Sequence, residues 1–253
     1  MADQLASLGI EGTRIEAVTV DEVPADLIAA HRHRDSLWRL RTGDLACGRS
    51  HQRAWAHLLA SDHPAALVLE DDAVLSPSIL DFLDPGLMTK LGADLIKLET
   101  YRKYIKLGST SVEVGKTRLF ELCSSQMGGA AYIITREAAA RTLASPLPDT
   151  MGVDRLLFGR GGVHLLRSRI LQAWPGPAVQ LDRFAPDDIV SKSDIKSSLT
   201  PEPAPSSLPR LMSLLSLNLD HADRLIRLAL RDPAAMVRPR QIVPFAGDPV
   251  VKP

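Results

Sequence analysis

The sequence contains few cysteines, no excess of either charge and no long apolar run. Its two cysteines, Cys47 and Cys123, stand far apart with no CxxC pair. This argues against a disulfide framework or a structural zinc site and predicts two buried thiols in a reducing compartment. The 30 Lys and Arg residues balance 30 Asp and Glu residues. Because nucleic-acid-binding proteins usually carry a basic excess, we predict no nucleic-acid partner.

No apolar stretch approaches the about 20 residues that a membrane-spanning helix needs. The N-terminal residues also lack the basic start and apolar core of a secretory signal, so we predict a cytoplasmic protein. A GxSxG motif is missing, which argues against a serine hydrolase. The 253 residues suffice for one α/β domain with a substantial core and appended segments.

Helical and strand-like segments alternate over residues 1–190. Helical spacing predicts a helix at 45–60, with Cys47, His51 and Trp55 on one stripe. The next apolar run, Ala65–Leu69, is typical of a strand buried on both faces. Further strands are predicted at 14–20, 94–98, 119–123, 130–134, 170–173 and 178–181, further helices at 2–10, 25–41, 77–83, 136–144 and 154–158, and a basic, irregular segment at 101–118. This alternation predicts an α/β fold with a mixed, mostly parallel sheet flanked by helices.

The character of the chain changes after residue 190. Residues 191–209 are rich in Ser and Pro and are predicted to form a linker. Residues 210–253 form a predicted C-terminal helical extension, in which apolar side chains repeat at helical spacing over 211–230 with arginines around them. Such a helix suits peripheral contact with the anionic surface of the inner membrane. Docking onto the main domain and dimerisation are equally compatible with the pattern.

Three adjacent acids, Glu70, Asp71 and Asp72, follow the Ala65–Leu69 strand directly. Carboxylates packed this closely repel one another, and a divalent cation such as Mn²⁺ or Mg²⁺ would compensate for their charge. In an extended segment Glu70 and Asp72 would point to the same side, so these two are the predicted metal ligands. Open α/β sheets bind ligands beyond the carboxyl ends of their strands, which favours a metal–diphosphate site over a solvated acidic turn.

Three further features are candidates for chemistry. Ser50 and His51 are candidate hydrogen-bond donors to a sugar or phosphate, and His51 is also a candidate general base; packing of His51 beside Trp55 in the core is the alternative. Gly128 and Gly129 allow close approach of the backbone to a ligand, or simply form a turn. Asp154 is either a helix N-cap or the base that deprotonates an acceptor hydroxyl.

These motifs resemble those of glycosyltransferase family 25, whose members act in lipooligosaccharide biosynthesis. The sequence GDLACGRSH at 43–51, followed by Trp55 and LVLEDD, is similar to the family pattern G-E-I-G-C-x-x-S-H, three residues, W, and an apolar strand ending in E-D-D. Likewise GGAAYIITREAA at 128–139 resembles the later G-x-x-A-Y-I-I-S segment, and Asp154 stands where the family has an Asp opening a short helix. The resemblance covers about residues 14–182. Ala46 departs from it, since the family usually has Gly there.

The resemblance implies a GT-A-like (Rossmann-like) fold and inverting transfer of a hexose, often galactose, from a UDP-sugar. Glu70 and Asp72, either alone or with Asp71 as well, would hold Mn²⁺ or Mg²⁺ on the diphosphate. Asp154 would be the first choice for the catalytic base and His51 the second, while Ser50, Asp71, Gly128 and Gly129 would contact the donor. The acceptor would be a lipid-linked sugar or an oligosaccharide.

The family also normally begins with a strand like V-I-N-L that would form part of the nucleotide pocket. The present chain starts within what corresponds to the following helix, so this first strand is expected to be missing. A degenerate, non-catalytic module that binds sugar nucleotides or glycans is therefore the rival hypothesis. A metal-dependent phosphohydrolase is a third, although the further His and Asp ligands that it would need at close spacing are missing.

Overall fold

The computed structural model describes residues 1–32, 40–165, 167–184 and 208–248, where helices and strands alternate as predicted. The helices are α1 (Ala2–Ser7), α2 (Ala25–Arg32), α3 (Thr42–Ala60), α4 (Leu87–Leu91), α5 (Arg136–Leu143), α6 (Val153–Phe158), α7 (Leu181–Phe184), α8 (Leu208–Arg231) and α9 (Pro233–Val237), with 3₁₀ helices at Val20–Glu22 and Pro77–Phe82. The strands are β1 (Ala65–Leu69), β2 (Ala73–Leu75), β3 (Leu95–Lys97), β4 (Glu99–Thr100), β5 (Tyr104–Ile105), β6 (Leu107–Val114), β7 (Thr117–Leu122), β8 (Ala131–Thr135), β9 (Ile170–Trp174), β10 (Ala178–Gln180) and β11 (Gln241–Ile242). The mixed α/β class is confirmed.

The main sheet has the strand order β1-β8-β3-β9-β7-β6. Among these described strands β3 pairs with β9 in parallel, and every other neighbouring pair is antiparallel. The prediction of a mostly parallel sheet is therefore wrong. One source of antiparallel pairing is a β-hairpin formed by β6 and β7. This hairpin begins in the segment 101–118, which was predicted to be irregular, and continues past its end. Its tight turn contains Gly115 at a φ of +55°, where a Cβ would lie 2.0 Å from Asp81 Oδ2.

Helices cover both faces of this sheet, which explains why its central strands are buried on both sides and largely apolar. In β3, Leu95 faces a core built with Trp55, Leu156 and Phe158 from α3 and α6. The next residue, Ile96, faces a second core formed with the 3₁₀ helix at Pro77–Phe82 and with α4. β1 departs from the prediction, because it lies at the sheet edge and all five of its residues are partly exposed.

The strand predicted at 14–20 is wrong, because the backbone there is bound by side chains of α3 instead of a neighbouring strand. Ser50 Oγ accepts a hydrogen bond from Val18 N at 2.8 Å, and Arg53 donates to Glu16 O at 3.2 Å. The Ser50 hydroxyl itself donates to Ala46 O at 2.9 Å. Ser50 thus accepts a hydrogen bond that attaches this segment to α3, and donates one to a carbonyl of α3 itself.

The C-terminal segment packs against the main domain. Leu228 of α8 is buried with Cys123 and Ala235, and Arg231 forms an ion pair with Glu121 of β7. Further along, β11 pairs with β5, and Thr100 Oγ1 donates to Val243 O at 2.6 Å. The predicted linker lies outside the described residues as far as 207. Within the described ranges, no helix combines the length and the apolarity that crossing a bilayer requires.

Candidate functional site

The acid cluster occupies the tight turn that joins β1 to β2. Glu70 N donates to Ala130 O at 2.8 Å, which anchors the turn beside β8, and Ala73 N donates to Glu70 O at 3.2 Å, which closes it. Glu70 is half-buried, whereas Asp71 and Asp72 are exposed. The segment is thus turned rather than extended, and the argument from strand alternation for Glu70 and Asp72 does not apply.

A fourth acid, Asp182, joins this cluster from α7. The small sheet with the order β2-β10-β4 brings it there, because β10 pairs with β2 and leads directly into α7. Leu181 N donates to Asp72 O at 2.9 Å. Partial burial of its carboxyl, together with the charges of Glu70, Asp71 and Asp182, raises the pKa of Asp72 to about 6. Asp182 Oδ1 is buried without a hydrogen bond among the described residues and lies 3.6 Å from Arg183 Nε.

A chain of buried hydrogen bonds runs from α3 through β8 to Glu70. Trp55 Nε1 donates to the Tyr132 hydroxyl at 2.9 Å, this hydroxyl lies 2.8 Å from His51 Nδ1, and His51 Nε2 lies 3.1 Å from Glu70 Oε1. Indole N–H can only donate and a carboxylate can only accept. A neutral His51 with its proton on Nε2 satisfies every group, with Tyr132 donating to Nδ1. Burial raises the pKa of Tyr132 well above its ordinary value, which keeps this hydroxyl protonated.

Cys47 lies next to this chain, one helical turn before His51. The ligand atoms of Cys47, His51 and Glu70 all lie within 4.8 Å of one another, a donor set that would suit zinc. Burial, followed by the charge of Glu70, raises the pKa of the Cys47 thiol far above its ordinary value. Since both ring nitrogens of His51 are engaged, by Tyr132 and by Glu70, we interpret His51 and Glu70 as part of the hydrogen-bond chain, with Cys47 packed beside it.

Residues 128–130, just before β8, bring the remaining candidates together. Gly128 N faces Asp154 Oδ2 at 3.4 Å, a Cβ on Gly129 would lie 3.7 Å from Glu70 Oε1, and Ala130 O accepts from Glu70 N. The N-cap of α6 is Gly152. Asp154 therefore lies in the first turn of α6, and its carboxylate faces the glycines.

Two charged residues beneath this segment were missed by sequence analysis. Lys97 and Glu99 are fully buried, and Lys97 Nζ lies 3.2 Å from Glu99 Oε2 and donates to Gly128 O. Ala130 N also donates to Glu99 Oε2, at 3.0 Å. Burial raises the pKa of Glu99, and Lys97 opposes that effect. A lysine and a glutamate in a short strand segment are typical of an exposed face, so the sequence carried no signal for their burial.

The structure thus gathers most, but not all, of the predicted site residues. His51, Glu70, Gly128, Gly129 and Asp154 meet around residues 128–130, and Asp71 and Asp72 continue from Glu70 into the exposed turn. Ser50 is the exception, because its hydroxyl is engaged by α3 and the segment before it. A role of Ser50 in donor binding stays a prediction, as do the catalytic and binding roles of the others.

The raised pKa of Asp72 predicts a pH-dependent gain in stability on removing its charge. Between its ordinary value of 3.8 and about 6, the folded protein binds more protons than the unfolded chain, so stability falls as pH rises through this window. Asp72→Asn should therefore raise the free energy of unfolding at pH 7.5 without divalent cations, and have no effect below about pH 4. The full shift would correspond to about 3 kcal/mol, which solvent screening at an exposed residue reduces to about 1 kcal/mol.

Urea unfolding at both pH values measures this difference, with Asp62→Asn, an exposed residue just after α3, as the control. An equal gain at both pH values would show that the carboxylates around Asp72 do not destabilise the folded protein.

Comparison with known proteins places the chain in a family. The model of glycosyltransferase family 25 (LPS biosynthesis protein) matches residues 1–157. The chain belongs to glycosyltransferase family 25. It is 26% identical over 169 residues to the lipooligosaccharide biosynthesis protein lic2B of Haemophilus influenzae, a match that covers 63% of this chain and 62% of that protein. The chain thus spans less than two thirds of the length of this relative.

The family match includes every candidate residue from Ser50 to Asp154 and ends within α6. The resemblance inferred from the sequence motifs is therefore confirmed. Asp182 lies beyond the matched residues, so its place beside Asp72 rests on the structure of this family 25 chain alone.

Proposed function

We propose that the protein is a metal-dependent glycosyltransferase that moves a hexose, in our view galactose, from a UDP-sugar to a lipooligosaccharide or another glycan, with inversion. The observation that carries this proposal is the meeting of four carboxylates at the β1–β2 turn, in a chain of glycosyltransferase family 25. The name of its relative, a lipooligosaccharide biosynthesis protein, supports the acceptor class. A GT-A-like arrangement of the donor site is part of the same proposal.

The residues at the β1–β2 turn fit a hard divalent cation such as Mn²⁺ or Mg²⁺. Such ions prefer carboxylate oxygens and substrate phosphates. The raised pKa of Asp72 and the buried, unbonded oxygen of Asp182 are the features that a bound cation would relieve. We infer that Glu70 and Asp72 would hold the metal, with Asp71 and Asp182 nearby. When bound, it would stabilise negative charge developing on the leaving UDP.

The hydrogen-bond pattern favours Asp154 over His51 as the base that receives the acceptor proton. Both nitrogens of His51 are engaged, by Tyr132 and by Glu70, so its ring is better suited to orienting the Glu70 carboxylate. Asp154 is half-buried beside Gly128. Its Oδ1 accepts from Arg155 N at 2.6 Å, and its Oδ2 lies 3.4 Å from Gly128 N. Gly128 and Gly129 would let the donor approach the backbone closely.

Isothermal titration with UDP, with and without Mn²⁺, tests the donor site. We expect micromolar affinity that requires Mn²⁺ and falls at least about tenfold in Asp72→Ala, since one charged ligand contributes a few kcal/mol at most. Asp62→Ala is the matched control and should bind like the wild type. Turnover of UDP-galactose with an oligosaccharide acceptor would then separate the enzyme from a non-catalytic binding module. A folded wild-type protein that binds no UDP would refute the proposed donor.

The exposed side of α8 suits contact with an anionic membrane surface, as a lipid-linked acceptor would require. Its large aliphatic residues recur at helical spacing and are half to four-fifths exposed: Leu215, Leu219, Ile226 and Leu230. Val237 of α9 is exposed as well. Arg227 is exposed on the same helix and pairs with Asp223, whereas Arg231 pairs with Glu121 of β7 on the side that faces the main domain. We infer a peripheral contact at the inner face of the membrane, where apolar burial supplies most of the affinity.

Co-sedimentation with vesicles tests this contact. The wild type should bind phosphatidylglycerol vesicles more strongly than phosphatidylcholine vesicles, and Leu219→Glu/Leu230→Glu should lose about tenfold or more of that binding. Val112→Glu, on the exposed face of β6, is the control for adding charge elsewhere. Unchanged vesicle binding by the double variant would exclude these α8 side chains as the membrane contact. If instead light scattering shows a wild-type dimer that the variant loses, the side chains form an interface with a second copy of the chain.

A further inference from the structure

The buried ion pair between Lys97 and Glu99 has no obvious benefit for stability. Both side chains are at most 1% exposed, and taking two charges out of water costs several kcal/mol per ion. Compensation is incomplete, because Glu99 Oε1 has no hydrogen bond among the described residues. An apolar pair of similar volume is often as stable in such a place. The pair therefore calls for an explanation outside stability.

Its contacts converge on residues 128–130. Lys97 Nζ is held between Glu99 and the carbonyl of Gly128, 4.8 Å from the centre of the Phe158 ring. Glu99 Oε2 binds the next amide but one, Ala130 N. Gly128 itself has a φ of +85°, and a Cβ there would lie 2.4 Å from Glu99 Oε1. The ion pair thus fixes the orientation of the peptide groups at 128–130 and their distance from β3 and β4.

The opposite side of the same three residues faces the proposed site. Gly128 N points to Asp154, Gly129 lies against Glu70 and Val153, and Ala130 O binds Glu70 N. The backbone of 128–130 is therefore a common support for the acid of the β1–β2 turn and the acid of α6. A shift of this segment would displace both carboxylates together.

We propose that Lys97 and Glu99 are positioning residues, which hold residues 128–130 so that Glu70 and Asp154 keep a fixed relation across the donor site. The positioning follows from the contacts described above, whereas its effect on donor binding rests on the proposed function. Neither residue would touch the substrate, because both are fully buried. Their effect would pass through the Gly128 carbonyl and the Ala130 amide.

The test uses the double variant Lys97→Met/Glu99→Gln, which removes both charges and keeps both shapes. Because no charge is left unpaired, we expect a thermal midpoint within a few degrees of the wild type. Two kinds of reading should nevertheless change, the backbone amide signals and the affinity for UDP. The amide signals of Gly128 and Gly129 in a ¹⁵N-glycine spectrum should shift and the Ala130 amide should exchange faster, and affinity for UDP with Mn²⁺ should fall by about tenfold. Lys90→Met/Asp84→Asn, which removes an exposed ion pair, is the control and should change neither.

Wild-type amide positions and unchanged UDP affinity in the folded double variant would overturn the proposal and leave the pair a structural one. The amide readings need no ligand, so they still decide the geometry if the wild type binds no UDP and the proposed function fails. If the double variant does not fold, Lys97→Gln/Glu99→Gln, which also leaves no charge unpaired, provides the same readings. The amide oxygen at position 99 can still accept from Ala130 N, so we expect smaller shifts of the Gly128 and Gly129 signals, and their absence would contradict the proposal.

Discussion

Gly128→Ala is expected to destabilise the protein by about 3 kcal/mol or more and to abolish binding of UDP with Mn²⁺. A φ of +85° is strained for any residue with a Cβ. The added methyl would also lie 2.4 Å from Glu99 Oε1 and 2.7 Å from its Cδ, and that side chain is locked by Lys97 and Ala130. Overpacking of this kind costs about 1–3 kcal/mol on top of the backbone strain. For a chain of this length, thermal unfolding should begin about 10 °C lower.

Gly129→Ala is the control for this prediction. Its Cβ would meet Val153 Cγ1 at 3.4 Å and Glu70 Oε1 at 3.7 Å, which are ordinary contacts, and its φ is not in the left-handed region. We expect a thermal midpoint close to that of the wild type, with weaker UDP binding if the donor passes over this residue. Equal destabilisation by the two variants would contradict the structure around Glu99.

Tyr132→Phe is expected to cost about 3 kcal/mol in the free energy of unfolding. The lost hydroxyl leaves two buried groups without a partner, Trp55 Nε1–H and His51 Nδ1, and each unsatisfied group costs about 1–3 kcal/mol. His51 would also lose the contact that fixes its tautomer, and with it the defined hydrogen bond to Glu70. We therefore expect weaker Mn²⁺-dependent UDP binding as well, even under conditions where the variant is fully folded.

Urea unfolding measures the first effect and titration with UDP the second. Tyr104→Phe removes the same atom from a residue that is 66% exposed, and should change the free energy of unfolding by less than about 0.5 kcal/mol. A Tyr132→Phe variant as stable as the wild type would mean that water or a rearranged His51 satisfies the indole N–H, and that the hydrogen-bond chain is not needed.

The sequence predicted the elements that carry a strong apolar pattern. Helix α3, strand β1 and the β8–α5 unit were found because their apolar residues repeat. Strand β6 was missed because most of its residues are exposed, so it has no apolar run. The pairing direction was also missed, since alternation of helices and strands does not reveal a chain reversal such as the one at Gly115.

The candidate site divides in the same way. Glu70, Asp71 and Asp72 could be found because they are adjacent in sequence and follow a strand. Asp182 could not, because only the pairing of β10 with β2 brings it to Asp72. Lys97 and Glu99 were missed because their charge suggests exposure, and it takes the three-dimensional structure to show that Gly128 and Ala130 supply their partners.

The attachment of three acids to three consecutive residues has a consequence for how this protein tolerates change. Asp154, Glu70 and Glu99 come from different elements, yet each depends on the backbone at 128, 129 or 130. Substitutions at these acids share one support, so their effects will not add, whereas those of well-separated residues usually do. Substitutions at this site should therefore accumulate in compensating pairs. The effect of introducing a single residue from a relative would depend on the neighbouring residues more than on the chemistry of the introduced side chain.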